Sequence, residues 1–177
     1  YVGGRELPAV IPLTSSKSTL ENFFINASIG GATPGHLGHA WAWYMISPNW
    51  SSIWPSDSKP ADYTDAGTKK VAIIMTDGEY NTQYSNATSK TQALALCQSM
   101  KDAGVIVYTI GFGFSTTSTA GDGTSEGNAK QILTQCSSGT NHYYFPYDSA
   151  ALREVFQSIG DGLMTGNTTV SKLKLMN

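Results

Sequence analysis

The chain contains few charged residues and no cluster of positive charge. Of its 177 residues, 11 are Lys or Arg and 13 are Asp or Glu, so charged residues make up 14% of the chain and the formal net charge is −2. An ordinary soluble domain has about a quarter charged residues. Nucleic-acid binding needs a basic face, and this composition does not supply one. We therefore expect no nucleic-acid partner.

Long apolar runs are also missing. No stretch approaches the ~18 consecutive apolar residues that a membrane-spanning helix needs, and the start, from Tyr1 to Arg5, has no signal-peptide character. Ser, Thr, Gly and Asn take the place of charged residues, which favours an exported protein. The sequence lacks an initiator Met, so we expect any membrane contact to come from an N-terminal anchor outside this chain.

Cysteine is scarce, with Cys97 and Cys136 the two in the chain. There is no second cysteine pair from which to build a metal cluster. Both residues lie on the apolar faces of predicted helices, so they can be two small buried hydrophobic side chains. Alternatively they form a disulfide between neighbouring helices, which would imply an oxidising compartment. The sequence leaves both possibilities open.

Short continuous apolar runs predict strands that are buried on both faces, as in a parallel sheet covered by helices. Three such runs each stop at a turn signal: 71–75, 105–110 and 142–145. A weaker run, 9–13, contains Pro12, which cannot donate a ladder hydrogen bond, and is predicted to be an edge strand.

Between these runs the apolar period changes to that of a helix, and it does so five times. The predicted helices carry apolar residues over 20–27, 37–44, 93–100, 129–136 and 152–159. Gly104 is placed to end the third helix, and Asp148 or Ser149 to cap the fifth. The alternation predicts an α/β fold, a three-layer, doubly wound, mostly parallel sheet with helices on both faces. A chain of this length fits one domain.

Two segments are predicted to be loops. The segment 47–67 has three prolines and two tryptophans, and Trp50 and Trp54 can either pack onto the body or form a contact surface. The Ser/Thr/Gly stretch 115–127 is predicted to be a mobile loop.

Two motifs offer oxygen ligands for a metal. The buried strand 71–75 leads into Thr76-Asp77-Gly78-Glu79, and a glycine-rich turn presents Thr33 just before a helix. Hydroxyl and carboxylate oxygens are the ligands that a hard cation such as Mg²⁺ prefers. Taken alone, Thr33 also fits a helix N-cap and Asp77 a turn residue before Gly78.

The order of these motifs resembles the metal-ion-dependent adhesion site of von Willebrand factor A domains. More specifically, the chain from about Pro8 onwards resembles the C-terminal region of bacterial TadG-like pilus-assembly proteins. The residues that carry the resemblance are Leu13-Thr14, Gly31-Ala32-Thr33, the segment 37–43, Ile46-Ser47-Pro48, the segment 76–79, Cys97 with Lys101 and Gly104, the segment 108–110, and Cys136. The resemblance implies that Thr33 and Asp77 are metal ligands for Mg²⁺, or for Mn²⁺ or Ca²⁺.

That family's site also uses an Asp-x-Ser-x-Ser motif at the end of the first strand, and this motif is nowhere in the chain. Asp57-Ser58 and the segment 122–125 do not follow a strand and are not credible substitutes. We therefore expect 1–177 to be a single A-type domain that lacks its first strand at the N-terminus. On this view upstream residues complete the metal site, and the isolated chain binds Mg²⁺ poorly.

The sequence gives little support for a zinc site or for catalysis. His36 and His39 share a helix at i, i+3, but no H-E-x-x-H arrangement is present and His142 lies far along the chain, so zinc is not predicted. No G-x-S-x-G elbow and no paired Cys and His indicate a nucleophile, so we expect no enzymatic activity.

The sequence thus favours an exported, non-enzymatic binding module of a bacterial pilus-assembly or surface protein, periplasmic or at the cell surface. Its expected partner is a pilus or envelope protein, bound through the metal. The alternative is a metal-independent structural component of the envelope or pilus machinery. An α/β hydrolase-like enzyme is the third and weakest hypothesis.

Overall fold

The computed structural model describes residues 10–27, 34–78, 80–83 and 85–165. Within them lie five α-helices: α1 Lys17–Asn26, α2 Gly35–Ile46, α3 Ser89–Asp102, α4 Ser125–Cys136 and α5 Ser149–Thr165. Three strands alternate with the last three of these helices: β1 Val71–Thr76, β2 Ile106–Gly111 and β3 Tyr143–Tyr144. Two short 3₁₀ helices, Pro48–Ile53 and Ser56–Ser58, follow α2. The five predicted helices and three predicted strands are confirmed.

The strands form one parallel sheet in the order β1-β2-β3. Val71 pairs with Ile106 and Met75 with Ile110, so alternate residues of β1 and β2 share a face of the sheet. The prediction of an edge strand over 9–13 is wrong for Val10–Leu13, which form no strand; position 9 lies outside the described residues. Pro12 has no N–H to donate to a ladder, which removes part of the reason for this segment to pair.

The helix starts follow from local side-chain chemistry. The side chains of Ser16, Thr88, Thr124 and Asp148 each accept a hydrogen bond from a backbone N–H in the first turn of α1, α3, α4 and α5 respectively. After α3 the backbone of Gly104 has a φ of +80°, a conformation that glycine adopts without steric cost, and the chain turns directly into β2.

Helices cover both faces of the sheet. On one face, α2, α3 and α4 pack on β1 and β2 around a core of Ala72, Ile74, Cys97, Met100, Val105, Val107 and Cys136. On the other, Leu152, Val155, Ile159 and Leu163 of α5 pack against Tyr108 and Ile110 of β2. The fold is therefore the doubly wound α/β arrangement that the sequence predicts.

The sheet is open beside β1. Ile73 and Met75, on the α5 face of this strand, are 40% and 52% exposed. Within the described residues no strand pairs with the outer edge of β1, and α1 has no buried residue. The apolar face of β1 is thus only partly covered.

The segment 47–67 packs against α2. The Trp54 Nε1 donates to the Tyr44 carbonyl oxygen at 2.8 Å, and the Trp50 and Tyr44 ring centroids are 4.1 Å apart. Trp50 is nevertheless 40% exposed, so its ring both packs on α2 and presents a surface to solvent. The Lys70 Nζ holds this segment by donating to the carbonyl oxygens of Ile46 and Ala61 at 2.7 and 2.6 Å.

None of the helices within the described ranges is both long enough and apolar enough to cross a bilayer.

Candidate functional site

The candidate site lies at the carboxyl end of β1, where Asp77 begins the loop that leaves the strand. The Thr76 hydroxyl donates to the Gly78 carbonyl oxygen at 3.1 Å and accepts from the Gly78 N–H at 3.2 Å. This local pair of bonds turns the backbone around Asp77. Loops at the carboxyl ends of parallel strands are where ligands bind in folds of this class.

The Asp77 side chain is available for binding. It is exposed, and within the described part of the chain its carboxylate has no hydrogen-bond or ion-pair partner. Asp122 differs, since it accepts bonds from the Thr124 hydroxyl, the Thr124 N–H, the Thr119 N–H and the Ser118 hydroxyl, which lower its pKa to about 2. Asp122 is thus committed to its own loop, whereas Asp77 is free to bind.

The start of α2 lies against the loop that carries Asp77. A β-carbon added to Gly35 would overlap the ring of Tyr80, so the backbone of α2 approaches this ring as closely as only glycine allows. Gly35 follows Thr33 by two positions, and Tyr80 follows Asp77 by three. The Tyr80–Gly35 contact therefore brings the start of α2 and the loop after β1 to the same part of the molecule. We name this region the rim, made of Asp77, Gly78, Tyr80 and Gly35.

Thr33 itself lies outside the described residues. Of the two predicted metal ligands, the structure therefore places Asp77 alone. One exposed carboxylate offers the hard oxygen that Mg²⁺ prefers but does not make a coordination sphere. The described residues are thus insufficient by themselves for a magnesium site.

The predicted loop 115–127 ends earlier than expected, because Ser125 already belongs to α4. The Lys130 Nζ from α4 donates to the carbonyl oxygens of Ser115 and Ser118 at 2.5 and 2.6 Å. It also lies 3.4 Å from the Glu126 carboxylate. An open polar cavity of about 480 Å³ is lined here by Gly113, Ser115, Thr116, Glu126 and Tyr147. Sequence reasoning missed this anchor because it joins a helix face to a loop twelve or more positions away.

The three histidines do not meet in one site. His36 and His39 are both buried in α2; the His36 Nδ1 lies 2.9 Å from the Ser89 hydroxyl and the His39 Nδ1 lies 2.8 Å from the Gly35 carbonyl oxygen. Burial lowers the pKa of both. His142 instead packs on Tyr108, with ring centroids 4.6 Å apart, on the opposite side of the sheet from α2.

The two cysteines are joined. Cys97 of α3 and Cys136 of α4 form a disulfide with a Cα–Cα distance of 5.2 Å, and both are at most 1% exposed. Of the two possibilities that the sequence left open, the structure has the crosslink between neighbouring helices.

A parallel α/β sheet with helices on both faces defines a doubly wound α/β domain. The family model of the von Willebrand factor type A domain matches residues 56–158, which is more than half of the chain. The chain belongs to this family.

Among solved structures, the chain is similar to proximal thread matrix protein 1 from the mussel byssus. In one crystal form the identity is 16%, the TM-score is 0.46, and the match covers 81% of this chain and 28% of that one. In another structure of that protein the identity is 15%, the TM-score is again 0.46, and the coverage is 79% and 29%. The chain thus spans less than a third of the length of that protein. A search of curated proteins finds no significant match.

Proposed function

We propose that this von Willebrand factor A domain is a non-enzymatic protein-binding module whose partner docks at the rim through a divalent cation. Domains of this family are commonly protein-interaction modules. The observation that carries the proposal is Asp77, a solvent-exposed carboxylate without a described partner at the carboxyl end of β1. An acidic side chain that is neither paired nor buried can meet a cation without first giving up a protein partner.

The proposed cation is Mg²⁺, with Mn²⁺ or Ca²⁺ as substitutes. Asp77 would supply a carboxylate oxygen and Thr33 a hydroxyl oxygen, and residues upstream of this chain would complete the ligand set. The Tyr80–Gly35 contact supports this assignment because it joins the loop of Asp77 to the helix that follows Thr33. The cation would hold a carboxylate of the partner, so the chain's own residues bind and orient without making or breaking covalent bonds.

The proposed setting is the periplasm or cell surface of a bacterium, in a TadG-like pilus-assembly or surface protein. Two features support it. The chain resembles that group of proteins along most of its length, and its buried crosslink is of the kind that persists in oxidising compartments. The partner would then be a pilus or envelope component.

The first test is cation binding by calorimetry, with Mg²⁺ and Mn²⁺ as the probes. We expect weak binding by this chain and stronger binding by a longer native chain that carries an Asp-x-Ser-x-Ser motif. Asp77→Ala and Thr33→Ala should each abolish the stronger binding. Asp161→Ala is the matched control, because this exposed aspartate lies on α5, away from the rim, and should bind like the parent. Strong Mg²⁺ binding by the short chain, or binding that survives Asp77→Ala, would refute the ligand assignment.

The second test concerns the partner. Binding of envelope or pilus proteins to the native protein should disappear with EDTA and return with excess Mg²⁺. Binding that persists in EDTA and in Asp77→Ala would support the metal-independent structural role instead.

A further inference from the structure

A second group of potential ligands lies buried in the core. His39 of α2, Cys97 of α3 and Cys136 of α4 each place one ligand atom within 4.8 Å of the other two. All three side chains are at most 1% exposed. Three helices that are separate in sequence therefore bring one imidazole and two sulfur atoms together.

His39 is held in the form that binds metal. Its Nδ1 lies 2.8 Å from the Gly35 carbonyl oxygen, which can only accept, so the proton must be on Nδ1 and the lone pair on Nε2. Burial lowers the pKa of His39 and keeps the ring neutral. A backbone carbonyl bonded to the remote nitrogen of a histidine is a common support for metal-binding imidazoles.

Tyr80 provides a fourth polar group. Its hydroxyl lies 3.4 Å from the His39 Nε2, and the two rings meet edge to face at 5.6 Å. In the oxidised protein this hydroxyl occupies the lone pair of Nε2.

We propose that the reduced protein binds one Zn²⁺ through Cys97, Cys136 and His39, and that the disulfide and the metal are mutually exclusive ways to close this cluster. A dithiol reductant supplies two electrons and two protons, which convert the disulfide to two thiols while the reductant becomes a disulfide. Zn²⁺ then displaces the two thiol protons to solvent and binds two thiolates and the Nε2 lone pair. Zinc accepts such mixed sulfur and nitrogen ligands in tetrahedral sites.

The charge balance suits the location. Two thiolates and one neutral imidazole around Zn²⁺ carry no net charge, so a fully buried cluster can hold the ion without an unpaired charge. Both the disulfide and the bound metal link α3 to α4, but only the metal also links these two helices to α2. This inference does not depend on the proposed function, because its three metal ligands differ from Asp77 and Thr33, the ligands proposed for the rim cation.

The test is an anaerobic titration of the reduced chain with Co²⁺, a spectroscopic substitute for Zn²⁺. We expect one Co²⁺ per chain, a thiolate-to-cobalt charge-transfer band, and loss of that band when Zn²⁺ displaces the cobalt. The oxidised chain should show no band. His39→Gln should weaken Co²⁺ affinity by at least about tenfold, the lower end of what even supporting groups of a metal site contribute.

His142→Gln is the matched control, because it removes an imidazole on the other side of the sheet and should leave the band unchanged. An unchanged Co²⁺ affinity in His39→Gln, or no band in the folded reduced parent, would overturn the proposal. If the reduced chain unfolds, circular dichroism replaces absorbance as the readout. Refolding on addition of Zn²⁺ then supports the site, and a chain that stays unfolded in Zn²⁺ overturns it.

Discussion

The region around β2 and the region around β1 differ in how far their side chains are buried; we call them the closed side and the open side. On the closed side, around β2, Val107, Thr109 and Ile110 are fully buried and the disulfide ties α3 to α4. On the open side, around β1, Ile73 and Met75 are exposed and α1 has no buried residue. Asp77, the candidate ligand, follows the strand of the open side. The strand that precedes the proposed binding residue is thus buried on one face and partly exposed on the other, whereas β2 is buried on both.

Breaking the disulfide should cause the largest loss in the free energy of unfolding. It closes a segment with a sequence separation of 39 residues. Reduction in the presence of a chelator, or Cys97→Ala with Cys136→Ala, is expected to lower the free energy of unfolding by about 4 kcal/mol, since the unfolded chain gains entropy. Urea unfolding with and without dithiothreitol measures this, and a loss below about 1 kcal/mol would contradict it.

The Lys130 anchor is the next test of the closed side. Lys130→Met keeps the apolar length of the side chain but leaves the carbonyl oxygens of Ser115 and Ser118 without this donor. We expect a loss of about 1–3 kcal/mol in unfolding free energy. Lys17→Met is the control, because Lys17 and Glu21 form an exposed pair, and it should change stability by less than about 0.5 kcal/mol. Equal effects of the two substitutions would show that the anchor contributes nothing.

The pH dependence of stability tests whether the two buried histidines of α2 are neutral in the folded chain. The folded-state pKa of His36 and His39 lies below the ordinary value because both are buried. Between the folded and unfolded pKa values the unfolded chain binds more protons, so stability is complete above about pH 6.5 and falls as the pH drops below it. Each imidazole changes the free energy of unfolding by at most about 1.4 kcal/mol per pH unit over this interval.

Urea unfolding at pH 7.5 and pH 5.5 measures this dependence, and His39→Gln should reduce the difference between the two. A free energy of unfolding that rises on acidification over this interval would show that the imidazoles are not buried in neutral form.

The smallest effect is expected on the open side. Ile73→Ala removes a side chain that is 40% exposed and should cost less than about 1 kcal/mol. Ile110→Ala, at a fully buried position of the neighbouring strand, should cost about 2–5 kcal/mol. If a partner strand or an upstream segment covers β1 in the native protein, Ile73→Ala will cost clearly more there than in this chain.

The apolar pattern was enough to predict the fold because each helix or strand has its own periodicity over a short stretch of sequence. Leu152, Val155 and Ile159 repeat at helical spacing and do pack on β2. The run at 9–13 misled because an apolar composition does not tell whether a neighbouring strand is available, and Val10–Leu13 pair with none that the structure describes.

The site was harder to predict. The place of Asp77 after β1 could be predicted from the apolar run 71–75, whereas its role as a ligand and the position of Thr33 remain predictions. His39 escaped notice beside the cysteines because no spacing rule links residues of three separate helices, and only tertiary packing brings them within 4.8 Å. Lys130 was missed for the same reason.

The ring of Tyr80 touches the backbone of Gly35 at the rim and the imidazole of His39 in the core. Any occupant of one location that moves this ring must alter the other. Thermodynamic linkage then requires reciprocity: a cation at Asp77 would change the affinity of the reduced core for zinc by the same factor as zinc changes the affinity of the rim for that cation. Titrating each ion in the presence of the other would measure this factor, and a value other than one would show that surface and interior are coupled.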